Sequence, residues 1–237
     1  MIYIESVRRD FKEQDAAVYP YTIPSIRGLS VLDFRKDVTF IIGENGSGKS
    51  TLMEAIAINA GYNAEGGGRN FNFSSGAHHS NLFENIKLIR SAYRNKDGFF
   101  LRAESFFNVA TQVDELGVDV GAFYGGSLHE QSHGESFLAL VQNRLFGKGL
   151  YLFDEPESAL SVNSLFQLMV RIKELVDLES QFIIATHSPI LLAYPNADIV
   201  QLSETGMERI AYEDTEIFKL TKLFLNNHRG FLDRLIL

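Results

Sequence analysis

The chain has 237 residues, 45% hydrophobic and 22% charged, and its 22 Lys+Arg against 30 Asp+Glu leave a net charge of −8. Apolar residues come in short bursts such as 150–153 and 182–185, well below the roughly 18 consecutive positions of a membrane span, so a soluble chain with material for a sizeable core is expected. The absence of cysteine excludes a disulfide framework, thiolate metal sites and a cysteine nucleophile, and the acidic balance argues against a general basic coat for nucleic acid.

In chain order, the start MIYIESVRRD reads as a strand rather than a signal peptide, which places the expected location in the cytoplasm. Strands are predicted at Ile2–Val7, Leu29–Phe34 and Val38–Ile42, then a glycine-rich turn and a helix over Lys49–Asn59. Gly61–Ser80, rich in Gly, Asn and Ser, reads as a long loop. Leu82, Ile86, Ile89 and Tyr93 carry helical spacing, so a helix is predicted over Asn81–Arg94, followed by a strand at Phe99–Phe107 and a second Gly-rich loop at Gly117–Gly126. The regular part resumes with helix Ser132–Leu145, strand Leu150–Phe153, helix Ser161–Val176 and strand Phe182–Ala185. The tail from Thr215 to Leu237 reads as amphipathic helix with a break at Asn226–His228. Alternating strands and helices predict an α/β domain with a largely parallel sheet.

Gly43-Glu44-Asn45-Gly46-Ser47-Gly48-Lys49-Ser50, with Thr51 next, matches G-x-x-x-x-G-K-[ST] directly after an apolar strand and directly before a helix. Glycines let successive backbone N–H groups converge on a phosphate, and the helix adds the partial positive charge of its amino end. Lys49 brings a full charge to the β and γ phosphates, and the Ser50 hydroxyl is the expected Mg²⁺ ligand. Nucleotide binding follows from this context.

A second apolar strand ends in acids, Leu150-Tyr151-Leu152-Phe153-Asp154-Glu155. Asp154 is expected in the Mg²⁺ shell, and Glu155 as the group that orients and deprotonates the attacking water. Two acids before Pro156 also suit a helix start. A third strand, Phe182–Thr186, delivers His187 to a loop. Ligands in open α/β sheets gather at the carboxyl ends of strands, which favours a shared site for all three.

This set resembles the ABC-class ATPases: GENGSGKST as Walker A, LYLFDE as Walker B with its glutamate, Ser158-Ala159-Leu160-Ser161 as the D-loop, and His187 as the switch histidine. Ser132-His133-Gly134-Glu135 stands at the place of that family's signature S-G-G-Q/E, with His133 replacing the first glycine. The forms around Ser132 and His187 are most similar to small stand-alone bacterial AAA/ABC ATPases related to SMC and RecF heads. The resemblance implies a P-loop NTPase fold in three layers, with a mostly parallel central sheet and an N-terminal antiparallel β portion. It implies one ATPase domain over 1–237, with a short helical or loop insertion at about 61–130. It also implies ATP and Mg²⁺ as cofactors, hydrolysis to ADP and phosphate, and an ATP-dependent homodimer in which each signature segment meets the partner's γ phosphate.

Three functional readings follow. No glutamine stands at the approach to the glutamine-loop position, where Glu104 or Asn108 is the candidate, and the interval from Glu104 to Ser132 is short for a transporter's helical subdomain. The preferred reading is therefore an SMC/RecF-like head serving DNA repair or defence, with DNA or a nuclease as possible partner. A transporter ATPase coupled to a separate membrane permease is the alternative. Basic candidates for DNA are Arg8, Arg9, Arg27, Arg35 and Lys36, and Lys87, Arg90, Arg94, Lys96 and Arg102, against a reading as ordinary solvated charge. Tyr19 and Tyr21 are candidates to stack on adenine, and Arg69 to reach a phosphate. The remote third reading is a zinc protease, because His129-Glu130-Gln131-Ser132-His133 matches H-E-x-x-H, with His78-His79 as a possible further ligand. Gly125-Gly126 before it and Gly134 after it argue against the continuous helix that this motif needs.

Overall fold

Val38–Ile42 is buried at every position because it runs through the middle of a six-stranded sheet covered on both faces. The computed structural model describes residues 1–10, 17–68, 80–103 and 133–236. Their strands are β1 (Ile4–Arg9), β2 (Val31–Asp33), β3 (Val38–Ile42), β4 (Ile86–Arg90), β5 (Asp97–Arg102), β6 (Gly149–Asp154), β7 (Gln181–Ala185), β8 (Asp198–Ser203) and β9 (Gly206–Arg209). The helices are α1 (Pro24–Arg27), α2 (Lys49–Ala60), α3 (His133–Arg144), α4 (Val162–Asp177), α5 (Pro189–Leu192), α6 (Glu216–Asn226) and α7 (His228–Ile236). The central sheet has the order β5-β6-β7-β3-β8-β9, parallel throughout except for β9. A separate antiparallel sheet has the order β2-β1-β4. The predicted α/β class, with a mostly parallel sheet and an antiparallel N-terminal portion, is the observed one.

Two apolar cores fill the layers. On one face, Phe137, Leu140 and Val141 of α3 and Leu168, Ile172 and Leu175 of α4 pack against Phe153, Phe182 and Ile184. The buried positions of α4 recur every three or four residues, and the helix starts cleanly because the Ser161 hydroxyl accepts from Ser164 N. On the other face, Leu52, Met53 and Ile56 of α2 meet Ile41, Leu152 and Ile183, with Val7 and Leu32 of the small sheet beyond them.

The predicted helix over Asn81–Arg94 is not formed. Asn81–Asn85 makes one 3-10 turn, capped by the Ser80 hydroxyl, and the chain then enters β4. The edge of β1 offers partners from Arg9↔Ile86 to Ile4↔Arg90, and this long-range ladder overrides the local apolar spacing. β4 and β5 thus place two segments of the interval after α2 in the two sheets. β8 and β9, an antiparallel pair turning at Glu204–Thr205, have no counterpart in the prediction. In the tail, the Thr215 hydroxyl caps Phe218 N, and α6 ends at Asn227 before α7, as the predicted break requires.

A buried amide is one of the links between the two sheets. Gln181 Oε1 accepts from Tyr3 N (2.8 Å) and Ile4 N (2.9 Å), and its Nε2 donates to Ile4 O (2.9 Å). Gln181→Ala strands these groups without water and is expected to lower unfolding stability by roughly 2–4 kcal/mol. Denaturant unfolding checks this, and a loss below about 0.5 kcal/mol would show the bridge to be dispensable. At the amino edge of the sheet, Asp97 accepts from Tyr151 OH (2.8 Å), Phe146 N (3.1 Å) and Arg144 Nη1 (2.9 Å). Burial alone would raise its carboxyl, but the Phe146 and Tyr151 hydrogen bonds and the Arg144 charge hold it below the usual range. That cluster is structural; the chemistry gathers at the opposite edge.

Candidate active site

β3 hands the chain to Gly43, whose φ of 154° and tight surroundings require glycine: a Cβ there would lie 2.5 Å from Ser47 Oγ and 2.6 Å from Leu202 O. The loop closes at Gly48 (φ 92°), where a Cβ would press on Ile26 at 3.0 Å. Gly48 is also the N-cap of α2 and has no side chain to occupy the helix's first N–H groups. α1 buttresses the loop from behind, through the Ser25 hydroxyl donating to Ser47 O and through Ile26. Glu44, Asn45 and Gly46 are exposed along the loop.

Lys49 is only 4% exposed, and its ammonium donates to Gly43 O (2.9 Å) and Glu44 O (3.1 Å). Burial pushes the Lys49 pKa down against the opposing pull of Glu155, Asp154 and Glu157. The charge is thus held at the loop in a partly dry place, where an anion gains most from it. Thr51 shares a hydrogen bond with Tyr19 OH (3.3 Å), so Tyr19, 60% exposed, stands beside the loop. Tyr21 does not. It is 2% exposed, hydrogen-bonded to Asn85, and part of the small-sheet core, which removes it as a stacking candidate.

β6 brings Asp154 to the loop. Ser50 Oγ donates to Asp154 Oδ1 at 3.2 Å. Both are hard oxygen donors on different elements, a pair that suits Mg²⁺, which takes one or two protein oxygens and completes its shell with phosphates and water. Glu155 follows in the left-handed conformation (φ 51°, ψ 53°), and its N–H donates to Ala185 O (2.9 Å). This sharp turn sends the Glu155 carboxylate away from Asp154 and toward His187, whose Nε2 lies 3.5 Å from Glu155 Oε1. Lys49, Ser50, Asp154, Glu155 and His187 therefore converge at the carboxyl ends of β3, β6 and β7, and the loop and His187 border a cleft of 540 Å³.

Three participants escaped the sequence reading. Glu157 accepts from His187 N at 2.5 Å and fixes the histidine's loop. Arg102, read from the sequence as a basic candidate for DNA against ordinary solvated charge, ends β5 in register with Asp154 and lies 3.6 Å from its Oδ2. Glu54 holds Arg102 Nη1 at 3.2 Å. Glu54 stands one helical turn after Ser50, a spacing visible in the sequence.

Ser158 and Ala159 lie in a 3-10 turn, with Ser158 Oγ donating to Glu155 O (2.9 Å), while Ser161 caps α4. Gly134 allows α3 to start against this segment, since a Cβ there would lie 2.8 Å from Ala159 O. Glu135 is in the first turn of α3. Ser132 and the His133 side chain lie outside the described residues, as do Arg69, His78, His79, Glu104, Asn108, His129 and Glu130. Among the described residues no group of three or more His, Cys, Asp or Glu could hold a metal ion.

Comparison with known proteins agrees with this geometry. A family model described as "AAA domain" matches residues 23–117, and a second, described as "AAA domain, putative AbiEii toxin, Type IV TA system", matches residues 127–193. A protein of Trieres chinensis named "Probable ATP-dependent transporter ycf16" is 25% identical over 207 residues, covering 76% of this chain and 82% of that protein. The zinc import ATP-binding protein ZnuC of Wolbachia pipientis wMel is 26% identical over 173 residues, 70% of this chain and 68% of that protein. In fold, the chain is similar to cbiO1 of Clostridium perfringens, with a TM-score of 0.54 at 18% identity, covering 99% of this chain and 100% of that one. The phosphate loop, the strand-end acids and the two matched AAA domains mark this chain as a P-loop ATPase with AAA-type domains.

Proposed function

We propose that the chain hydrolyses ATP with Mg²⁺ as a homodimer that closes on two nucleotides, and that turnover drives a DNA-maintenance or defence process in the manner of an SMC/RecF head. The observation that carries the chemistry is the convergence of Lys49, Ser50, Asp154, Glu155 and His187 on one sheet edge. Lys49 and the loop N–H groups bind the phosphates, and Ser50 with Asp154 holds Mg²⁺, which polarises them when bound. Glu155 accepts the proton of the attacking water, and His187 contacts the γ phosphate. Neutralising that phosphate's developing charge calls for further donors, and the amino end of α3 with Ser132 supplies them from the partner copy. The description of the domain matched at 127–193 favours defence.

A transporter role is the second reading, favoured by the similarity to ycf16 and ZnuC. No helix among the described residues is long and apolar enough to cross a membrane, and the partner proposed for that role is a separate permease. The DNA role draws little from the basic candidates: Lys87 pairs with Asp10 (2.6 Å), Arg90 donates to Asn59 O (2.9 Å), and Arg102 is engaged at the site.

Light scattering tests the dimer. Mass should double with ATP and Mg²⁺, and Ser132→Arg should retain nucleotide binding while remaining at the monomer mass. Monomeric protein that hydrolyses ATP at the full rate would overturn the two-copy site. A fall in DNA affinity with salt, seen only in the presence of ATP, would support the DNA role. No DNA binding at low salt would leave the transporter reading.

A further inference from the structure

We infer that Arg102, tethered by Glu54, is the residue that positions the Asp154 carboxylate for a divalent cation; this rests on the Mg²⁺-ATP reading above. β5 is buried through Phe99, Phe100 and Leu101 and then ends in a guanidinium. A cation at the end of a buried strand needs close anionic partners, and among the described residues Asp154 and Glu54 stand beside it. Arg102 Nε lies 3.6 Å from Asp154 Oδ2, while Nη1 donates to Glu54 Oε2 at 3.2 Å. Glu54 is itself fixed, because its Oε1 accepts from Ser80 N (3.2 Å).

The consequence falls on Asp154. A carboxylate turns easily about its last torsion, but here each oxygen is held from its own side. Oδ2 faces the guanidinium, and Oδ1 receives the Ser50 hydroxyl at 3.2 Å. The oxygen on the Ser50 side is therefore held where the hydroxyl stands. Glu54 and Ser50 belong to the same helix one turn apart, so the tether and the hydroxyl keep their spacing. Arginine suits the task because a planar fork can address two carboxylates at once, which an ammonium does poorly. Partners that orient a metal ligand commonly change metal affinity or activity by about 10–100-fold when removed.

The test uses the whole chain and a fluorescent ATP analogue, titrated with Mg²⁺ and, separately, bound in EDTA. Arg102→Gln should raise the Mg²⁺ concentration at half-saturation about 10–100-fold while leaving affinity in EDTA within about twofold of wild type. Arg102→Lys should recover part of the loss, and Glu54→Gln should give a smaller shift in the same direction. A merely structural role would weaken binding equally with and without Mg²⁺; that result, or a wild-type midpoint in Arg102→Gln, would overturn the inference. Should Arg102→Gln fail to fold, the Mg²⁺ midpoints of Arg102→Lys and Glu54→Gln decide it by the same comparison. Wild-type protein whose nucleotide binding ignores Mg²⁺ overturns the metal reading itself, a result distinct from an unaltered variant beside a Mg²⁺-dependent wild type.

Discussion

Replacing Glu155 with Gln is expected to lower kcat by about 10²–10⁴-fold, the range for removal of a general base, while ATP binding persists. The amide keeps the size of the side chain but accepts no proton. Its neighbours are little disturbed, because the Glu155 side chain is 38% exposed and its backbone N–H, not its carboxylate, ties the turn to Ala185. Trapped before hydrolysis, the variant should accumulate as ATP-bound dimers on a sizing column. Turnover at the wild-type rate would move the role of base to another group, with His187 the nearest candidate.

Lys49→Ala is expected to weaken ATP binding by about 100-fold or more. A charge-assisted hydrogen bond contributes roughly 1.5–3 kcal/mol, and each 1.4 kcal/mol is tenfold in affinity. Burial amplifies the effect here, since few waters compete for the ammonium at the loop. Stability should move far less than affinity, because the same burial that favours an anion opposes the charged lysine. Calorimetric titration beside thermal melting separates the two, and near-wild-type affinity would show that the loop backbone binds the phosphates alone.

The parts of this molecule legible from sequence are those whose cause is local. The phosphate loop needs its glycines within one turn, and β3, β6 and β7 announce themselves as largely apolar runs because both of their faces are covered. Asp154, Glu155 and His187 follow such runs directly, so their meeting could be inferred. Where the cause is distant, inference fails. Ile86–Arg90 satisfies a helical pattern until β1, far away in the chain, supplies a ladder. Tyr21 reads as well for a stacking ring as for a core residue, and only the small sheet decides. Arg102 joins the site through strand register, which appears when β5 is laid beside β6 and not before.

The left-handed turn at Glu155 has one further consequence. Two adjacent acids on an ordinary strand would point to opposite faces of the sheet, and only one could work at its edge. Here a single backbone inversion keeps both at the edge and aims them apart, one at the Ser50 hydroxyl and the other at His187. The two jobs are thereby mechanically separable. Change at the second acid can retune or silence the chemical step without disturbing the cation's seat, provided that the replacement tolerates a positive φ. A branched side chain, which resists that conformation, would unseat both at once.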